Sequence, residues 1–359
     1  VKSFRSTVAL AVFYSAVLAP FSAPAVAQTP AAAAVSLAPG PKPPDVSPEW
    51  KQLVGLYGPT RKPSVTILER DQKLFWLADD RESEIFPDSR DDTKFLLEYG
   101  LSFVIDKAPS GEVTQLAVPG RDSPLLRADA GSDPTRFYHI NPARPIEQLR
   151  ATALAARPPA EPGPFRKPDL VELTALDSAF HLDIRYATAN DFLQSPVYTQ
   201  ARAFLQRPAA EALVRVLHKL QPLGFGLLIH DAYRPWYVTK IFWDATPPEG
   251  RIFVADPKQG SRHNRGCAVD LTLYDLASGQ PIQMPGSYDE MSSRSFPTFP
   301  GGTSLQRWYR DLLRRTMESE GFTVNESEWW HFDCKDWREY PLLNIPFERL
   351  NKAPAAIRK

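Results

Sequence analysis

At 359 residues, with 43% hydrophobic and 23% charged side chains, the chain has the length for two globular domains and an ordinary core-forming composition. Its 42 basic and 42 acidic residues cancel, which removes the electrostatic basis for binding nucleic acid or a membrane surface. Two cysteines exclude a disulfide framework and leave room for one bridge at most.

The first 27 residues read as a secretory signal peptide. Lys2 and Arg5 supply the positive start, residues 9–19 the apolar run, and Ala25, Val26 and Ala27 the small-residue cleavage site. The apolar run is too short for a membrane span and is closed by Pro20 and Pro24. The expected protein is therefore exported, periplasmic or secreted, with no membrane span once the signal is removed. Residues 28–48 read as a Pro/Ala-rich tether, semi-extended and without a core.

Residues 49–140 alternate between short apolar runs and turn signals. Strands are expected at 64–68, 73–77, 94–99, 101–105 and 113–116, with turns at Asp71-Gln72 and Ser110-Gly111. The pattern predicts a small all-β module resembling a half-barrel. It contains no constellation of nucleophiles or metal ligands, and His139 is read as structural.

Residues 141–168 form a second Pro-rich linker with a short helix near 144–156. From residue 169 to 352 the pattern is α+β, an antiparallel sheet with flanking helices, and residues 353–359 are a tail. Strands are expected at 170–173, 181–186 and 226–229. Pro208 opens a helix whose apolar stripe is Leu213, Val216, Leu217 and Leu220, and Gly224 ends it. Ser304 is expected to cap a second helix, which runs to Gly321 with Trp308, Leu312 and Leu313 facing inward. A strand carrying residues 328–333 follows.

Chemistry concentrates in two stretches. In residues 261–270, His263 and Asp270 stand on either side of a turn at Gly266, and Glu328-Trp329-Trp330-His331 lies downstream. A hydrolytic zinc site needs three protein ligands and an open position for water, and His263, Asp270 and His331 supply suitable donors for one Zn2+ per chain. Glu328, three residues before His331, is placed to act as the base beside the water. Arg234 leaves a strand just before Pro235 and is the candidate for stabilising negative charge in the transition state, with an ion pair to Asp231 as its structural alternative. Of the other histidines, His218 is read as solvated and His230 as a neighbour of the site. Strand alternation puts Cys267 opposite Asp270 and Cys334 opposite His331, so the two cysteines meet behind the site as a disulfide or as buried thiols.

These residues resemble a known family. The pattern Ser261-x-His263-x-x-Gly266-x-Ala268-x-Asp270, the run from Glu328 to His331, the turn Asp231-Ala232-Tyr233-Arg234-Pro235 and the segment Tyr186-Ala187-Thr188 are similar, in this order of roles, to motifs of the D-alanyl-D-alanine dipeptidases, which include the vancomycin-resistance dipeptidases (peptidase family M15). The resemblance covers about residues 169–348. It implies zinc at His263, Asp270 and His331, Glu328 as base and Arg234 at the transition state. It also implies that Tyr186 and Asp289 hold the substrate's free ammonium and that Ser261 touches the substrate backbone or carboxylate. Residues 53–57, the strand ending at Glu69 and the 106–114 hairpin resemble the lipocalin-like module appended to some secreted serine hydrolases.

The implied activity is zinc-dependent hydrolysis of D-Ala-D-Ala to two D-alanines, with a small peptide as the sole expected partner of the site. The alternatives are a D,D-carboxypeptidase acting on peptidoglycan stem peptides and a non-catalytic zinc-bearing protein that binds the cell wall. Residues 243–260 are short, which predicts an open pocket rim. No partner for the β module is legible.

Overall fold

The computed structural model describes residues 36–59, 62–129 and 139–350. The expected signal peptide and the 353–359 tail lie outside them.

The tether reading needs correction over residues 37–46. Leu37 packs against the main core and Val46 is buried. Trp308 Nε1 donates to Gly40 O at 3.0 Å, Arg315 Nη1 donates to Ala38 O at 2.9 Å, and the Lys42 ammonium lies 5.2 Å from the centre of the Tyr309 ring. Hydrogen bonds to backbone and a cation–π contact thus hold a proline-rich strap that has little apolar surface of its own.

A short helix, α1 (Pro48–Leu53), capped by Ser47, leads into eight strands: β1 (Gly55–Tyr57), β2 (Val65–Arg70), β3 (Lys73–Ala78), β4 (Arg81–Asp88), β5 (Asp91–Leu97), β6 (Ser102–Lys107), β7 (Val113–Ala117) and β8 (Leu125–Leu126). Each pairs antiparallel with the next, and a bridge between Tyr57 and Arg127 joins the last strand to the first. The expected half-barrel is therefore a closed barrel, and closure removes the exposed sheet edges. Its inward face is Ile67, Leu74, Ile85, Phe95, Phe103 and Leu116. The turns Asp71-Gln72 and Asp79-Asp80 take positive φ at both residues, the conformation that suits two-residue hairpins.

After α2 (Ile146–Ala155), the chain builds a second body. Leu149 and Ala153 of α2 are fully buried in its core, and the following residues run extended, with Glu161 accepting the Leu342 N–H at 2.7 Å. Then come β9 (Leu170–Glu172), α3 (Leu173–Leu176), β10 (His181–Leu182), β11 (Phe204–Gln206), α4 (Arg207–Leu220), β12 (Phe225–Asp231), α5 (Trp236–Ala245), β13 (Ala268–Asp275), α6 (Ser304–Glu318), β14 (Phe322–Asn325) and β15 (Glu328–Cys334). The main sheet has the order β10-β12-β13-β15-β14, antiparallel except for the parallel β10–β12 pair. Leu213, Val216, Leu217 and Leu220 of α4 are fully buried, the stripe its spacing predicts.

Two expectations shift. The run at 181–186 is a strand only over its first two residues, because a 3-10 turn at Arg185–Ala187 takes Tyr186 inward. The cap of α6 is Thr303, whose hydroxyl accepts the Gln306 N–H while the Gln306 side chain accepts the Thr303 N–H; Ser304 is the first helical residue.

Candidate active site

Asp270 on β13 and His331 on β15 are direct cross-strand partners, so the sheet register sets two of the three predicted ligands side by side. His263 comes from the 3-10 turn His263–Arg265, which ends at Gly266 in the left-handed conformation (φ +67°). A Cβ at Gly266 would lie 2.4 Å from the Leu170 side chain, so the turn needs glycine for space as well as for φ.

Three atoms converge. His263 Nε2 and His331 Nδ1 are 3.1 Å apart, and Asp270 Oδ1 is 3.3 Å from the first and 3.1 Å from the second. Around a tetrahedral ion with bonds of about 2.0–2.1 Å, neighbouring donors stand about 3.3–3.4 Å apart, so the set has nearly the right span. The other ring nitrogens have partners that assign their protons. His263 Nδ1 donates to Ala232 O at 2.7 Å, and His331 Nε2 donates to Asp333 Oδ1 at 2.9 Å. Both lone pairs then face Asp270 Oδ1, which is buried with no donor against it. A positive species has to sit among the three. A proton can fill that place: burial disfavours a charged imidazole, but hydrogen bonds donated to Asp270 and Asp333 outweigh it and push His331 up to about 10. His263, Asp270 and His331 could hold a divalent cation in exchange for that proton, and two imidazoles with one carboxylate are a donor set that suits zinc.

Around the triad is a cavity of about 330 Å3, lined by Tyr186, Arg234, Ser261, Asp289 and Glu328 among others. That is the small end of ligand-pocket size. Glu328 reaches it because β15 is irregular there. Asn325 pairs with Glu328 while Val324 pairs with Phe332, and this slip puts Glu328 and His331 on one face, with Oε2 3.5 Å from His331 Nδ1. Burial raises the Glu328 carboxyl, and Asp270 adds to the rise against the pull of His331.

Arg234 forms the ion pair with Asp231 expected as its structural alternative, and it also lines the cavity. Its Nε and Nη2 lie 2.9 and 2.7 Å from Asp231 Oδ2, while Nη2 remains 3.9 Å from Asp270. Its guanidinium carbon is 4.8 Å from the centre of the Phe242 ring and 5.3 Å from that of Tyr186. Burial works against this charge, but Asp231 and the surrounding acids hold its proton even more firmly than usual.

Tyr186 donates to Asp289 Oδ2 at 2.8 Å. Burial and the nearby Asp270 push Asp289 well above the usual carboxylate range, so a cation beside it would be strongly favoured. Ser261 Oγ accepts the His263 N–H at 3.2 Å and lines the cavity. Cys267, just before β13, and Cys334, the last residue of β15, are free thiols behind the site, with the Cys334 N–H donating to Cys267 O at 2.8 Å. His218 is exposed and 2.8 Å from Asp177. His230 stacks on Tyr288 with ring centres 4.5 Å apart, so it touches the site through one intermediary.

Sequence reasoning missed three supporting groups. Asp333 orients His331, and its place two residues on along a strand, on the same face, was a usable signal. Tyr288 donates to Asp270 Oδ2 at 3.2 Å. Tyr198 donates to Asp231 Oδ1 at 2.7 Å, and nothing local in the sequence indicates that contact.

The family model described as D-ala-D-ala dipeptidase, Peptidase M15, matches residues 166–348. The chain belongs to this family. As a member of the D-Ala-D-Ala dipeptidase family it is a peptidase, and the family relation fits the metal-ligand set. It is 36% identical over 179 residues to a D-alanyl-D-alanine dipeptidase of Escherichia coli (strain K12), a match taking in 50% of this chain and 91% of that relative. Relatives of the same name from Enterococcus faecalis (strain ATCC 700802 / V583) and Streptomyces coelicolor (strain ATCC BAA-471 / A3(2) / M145) are 33% and 32% identical, over 46% and 47% of this chain and 92% of each relative. So little of these relatives lies outside the match that none has room for a counterpart of the barrel.

Proposed function

We propose that the protein is an exported zinc dipeptidase that hydrolyses D-alanyl-D-alanine to two molecules of D-alanine. The observation that carries this reading is the Tyr186–Asp289 pair in the same cavity as the triad. A buried carboxylate at the end of a small pocket selects a substrate whose ammonium lies a short distance from the bond to be cut. A longer stem peptide has an amide there and no charge to offer.

A zinc ion held by His263, Asp270 and His331 would polarise the scissile carbonyl and acidify the attacking water. The protein's own groups do the rest. Asp289 and Tyr186 hold the ammonium, and Ser261 meets the backbone or carboxylate end. Glu328 takes one proton from the water as its oxygen bonds to the carbonyl carbon. It then delivers that proton to the leaving nitrogen as the C–N bond breaks, and its raised affinity for protons suits both halves of the transfer. Arg234, anchored by Asp231, presents fixed positive charge to the carbonyl oxygen as it becomes negative.

The test is D-alanine release from the free dipeptide and from a pentapeptide ending in D-Ala-D-Ala, before and after chelation and with zinc added back. Faster release from the dipeptide, lost on chelation and restored by zinc, is expected. Faster release from the pentapeptide would establish a D,D-carboxypeptidase instead. No release from either by protein carrying one zinc would leave a wall-binding role.

A further inference from the structure

The segment joining β13 to α6 supplies Tyr288 and Asp289 to the site, yet its only helical element is a 3-10 turn at Ser293–Ser295. Asp289 takes φ +57°, the left-handed conformation that aspartate tolerates better than most residues other than glycine.

Glu290 closes the turn from within. Its carboxylate accepts the Ser287 N–H at 2.9 Å and the Ser292 hydroxyl at 2.7 Å. Arg294, buried, binds the same turn from behind, with Nε donating to Pro285 O at 2.8 Å and lying 3.6 Å from Glu290 Oε2. The far side of that guanidinium leaves the peptidase body. Arg294 Nη1 is 3.2 Å from Oδ1 of Asp129, a residue that follows β8 of the barrel.

The Asp129 side chain is fully buried and well partnered. It also accepts from Arg127 Nε at 2.9 Å and from the Leu56 N–H at 2.5 Å. Burial would raise its carboxyl, but Arg294 and Arg127 outweigh that and hold it below its ordinary range. The barrel has shaped itself around this node. A Cβ at Gly55 would stand 2.5 Å from Arg127 Nη2 and 2.7 Å from Asp129 Oδ2. The other end of the segment is also tied to the barrel. Leu68 bridges to Gly302, and the Glu69 carboxylate accepts the Ser304 N–H at 2.7 Å.

We infer that Asp129 is a positioning residue for Asp289: through Arg294 and Glu290, the barrel fixes the loop that receives the substrate's ammonium. The barrel is then part of the apparatus that sets substrate affinity, not a spacer. The inference rests on the proposed role of Asp289.

The experiment uses the full-length, zinc-loaded chain carrying Asp129→Asn, Arg294→Gln or Arg294→Lys. Asp129→Asn and Arg294→Gln are each expected to raise KM for D-Ala-D-Ala about tenfold, the size of one weakened charge-assisted contact, with kcat within about twofold and zinc content unchanged. Arg294→Lys, which keeps the charge, is expected to recover most of the lost affinity. Hydrogen–deuterium exchange across residues 285–295 should quicken in the first two variants and not in the third. If Asp129→Asn fails to fold, the two Arg294 variants carry the comparison. Unchanged KM and exchange in folded variants would overturn the inference, as would an equal loss of kcat and zinc, which marks a general structural role. Should the unsubstituted protein fail to cleave the dipeptide, the functional reading falls by itself, and exchange still decides whether the barrel restrains the loop.

Discussion

The barrel and the peptidase body solve the problem of buried charge in opposite ways. In the barrel, strand follows strand, the core is apolar, and two buried carboxylates, Glu69 and Asp129, reach partners in the neighbouring body. In the peptidase body one group of buried charges converges inward. Asp231, Arg234, His263, Asp270 and His331 all lie within the strand ends and turns at one end of the sheet. Desolvating charge is costly unless it is paired. The barrel uses it to join, the peptidase body to react.

Substitutions can break that contrast, beginning with the most damaging. Glu328→Gln keeps the shape of the side chain and removes the proposed base, so kcat should fall about a thousandfold, within the usual range for general acid–base groups, with zinc content unchanged. Steady-state kinetics alongside metal analysis checks this, and a loss below tenfold would reassign the base. Arg234→Lys keeps the charge but loses the planar pairing with Asp231, and kcat should fall about a hundredfold with little change in KM. An unaltered kcat would leave Arg234 a purely structural partner of Asp231.

Acid should act on Asp191 and Asp129, one in each region, with opposite sign. Burial pushes Asp191, in the peptidase body, up to about 6. Its contribution is therefore favourable below its unfolded range near 4 and is lost as pH rises through about 6. Asp129 is held down by Arg294 and Arg127 against burial, so its contribution is present above its unfolded range and lost as pH falls below it. Asp191→Asn should raise the melting temperature at pH 8 and leave it unchanged at pH 4. Equal shifts at both pH values would refute the titration argument. The mildest change is Glu69→Gln, which weakens the charge at the start of α6 and should cost about 1 kcal/mol in denaturant unfolding with catalysis intact.

Legibility in the sequence followed the range of the contacts. Strands β2, β3, β5, β6 and β7 stood out because their apolar residues are bounded by turns, and α4 because its stripe has helical spacing. β4 did not, since Arg81, Glu82, Glu84 and Pro87 mask its inward Ser83 and Ile85. Nor did α5, which is buried on nearly every side and so has little periodicity to detect. The residues of the site were visible as short motifs, whereas the slip in β15 that lets Glu328 share a face with His331 is a property of register. Closure of the barrel was hidden because the closing residue is Arg127, a charge where a strand pattern expects none.

The Glu69–Ser304 contact also bears on how the chain is made. Its partners are separated by 235 positions, whereas each barrel strand pairs with its immediate successor. On a chain emerging from the ribosome, the hairpins of the barrel can form long before α6 has been synthesised. Glu69 then waits on the finished barrel as a ready acceptor, and the last long helix of the peptidase body begins against it. The module that comes first in the chain thereby acts as a template for the one that follows.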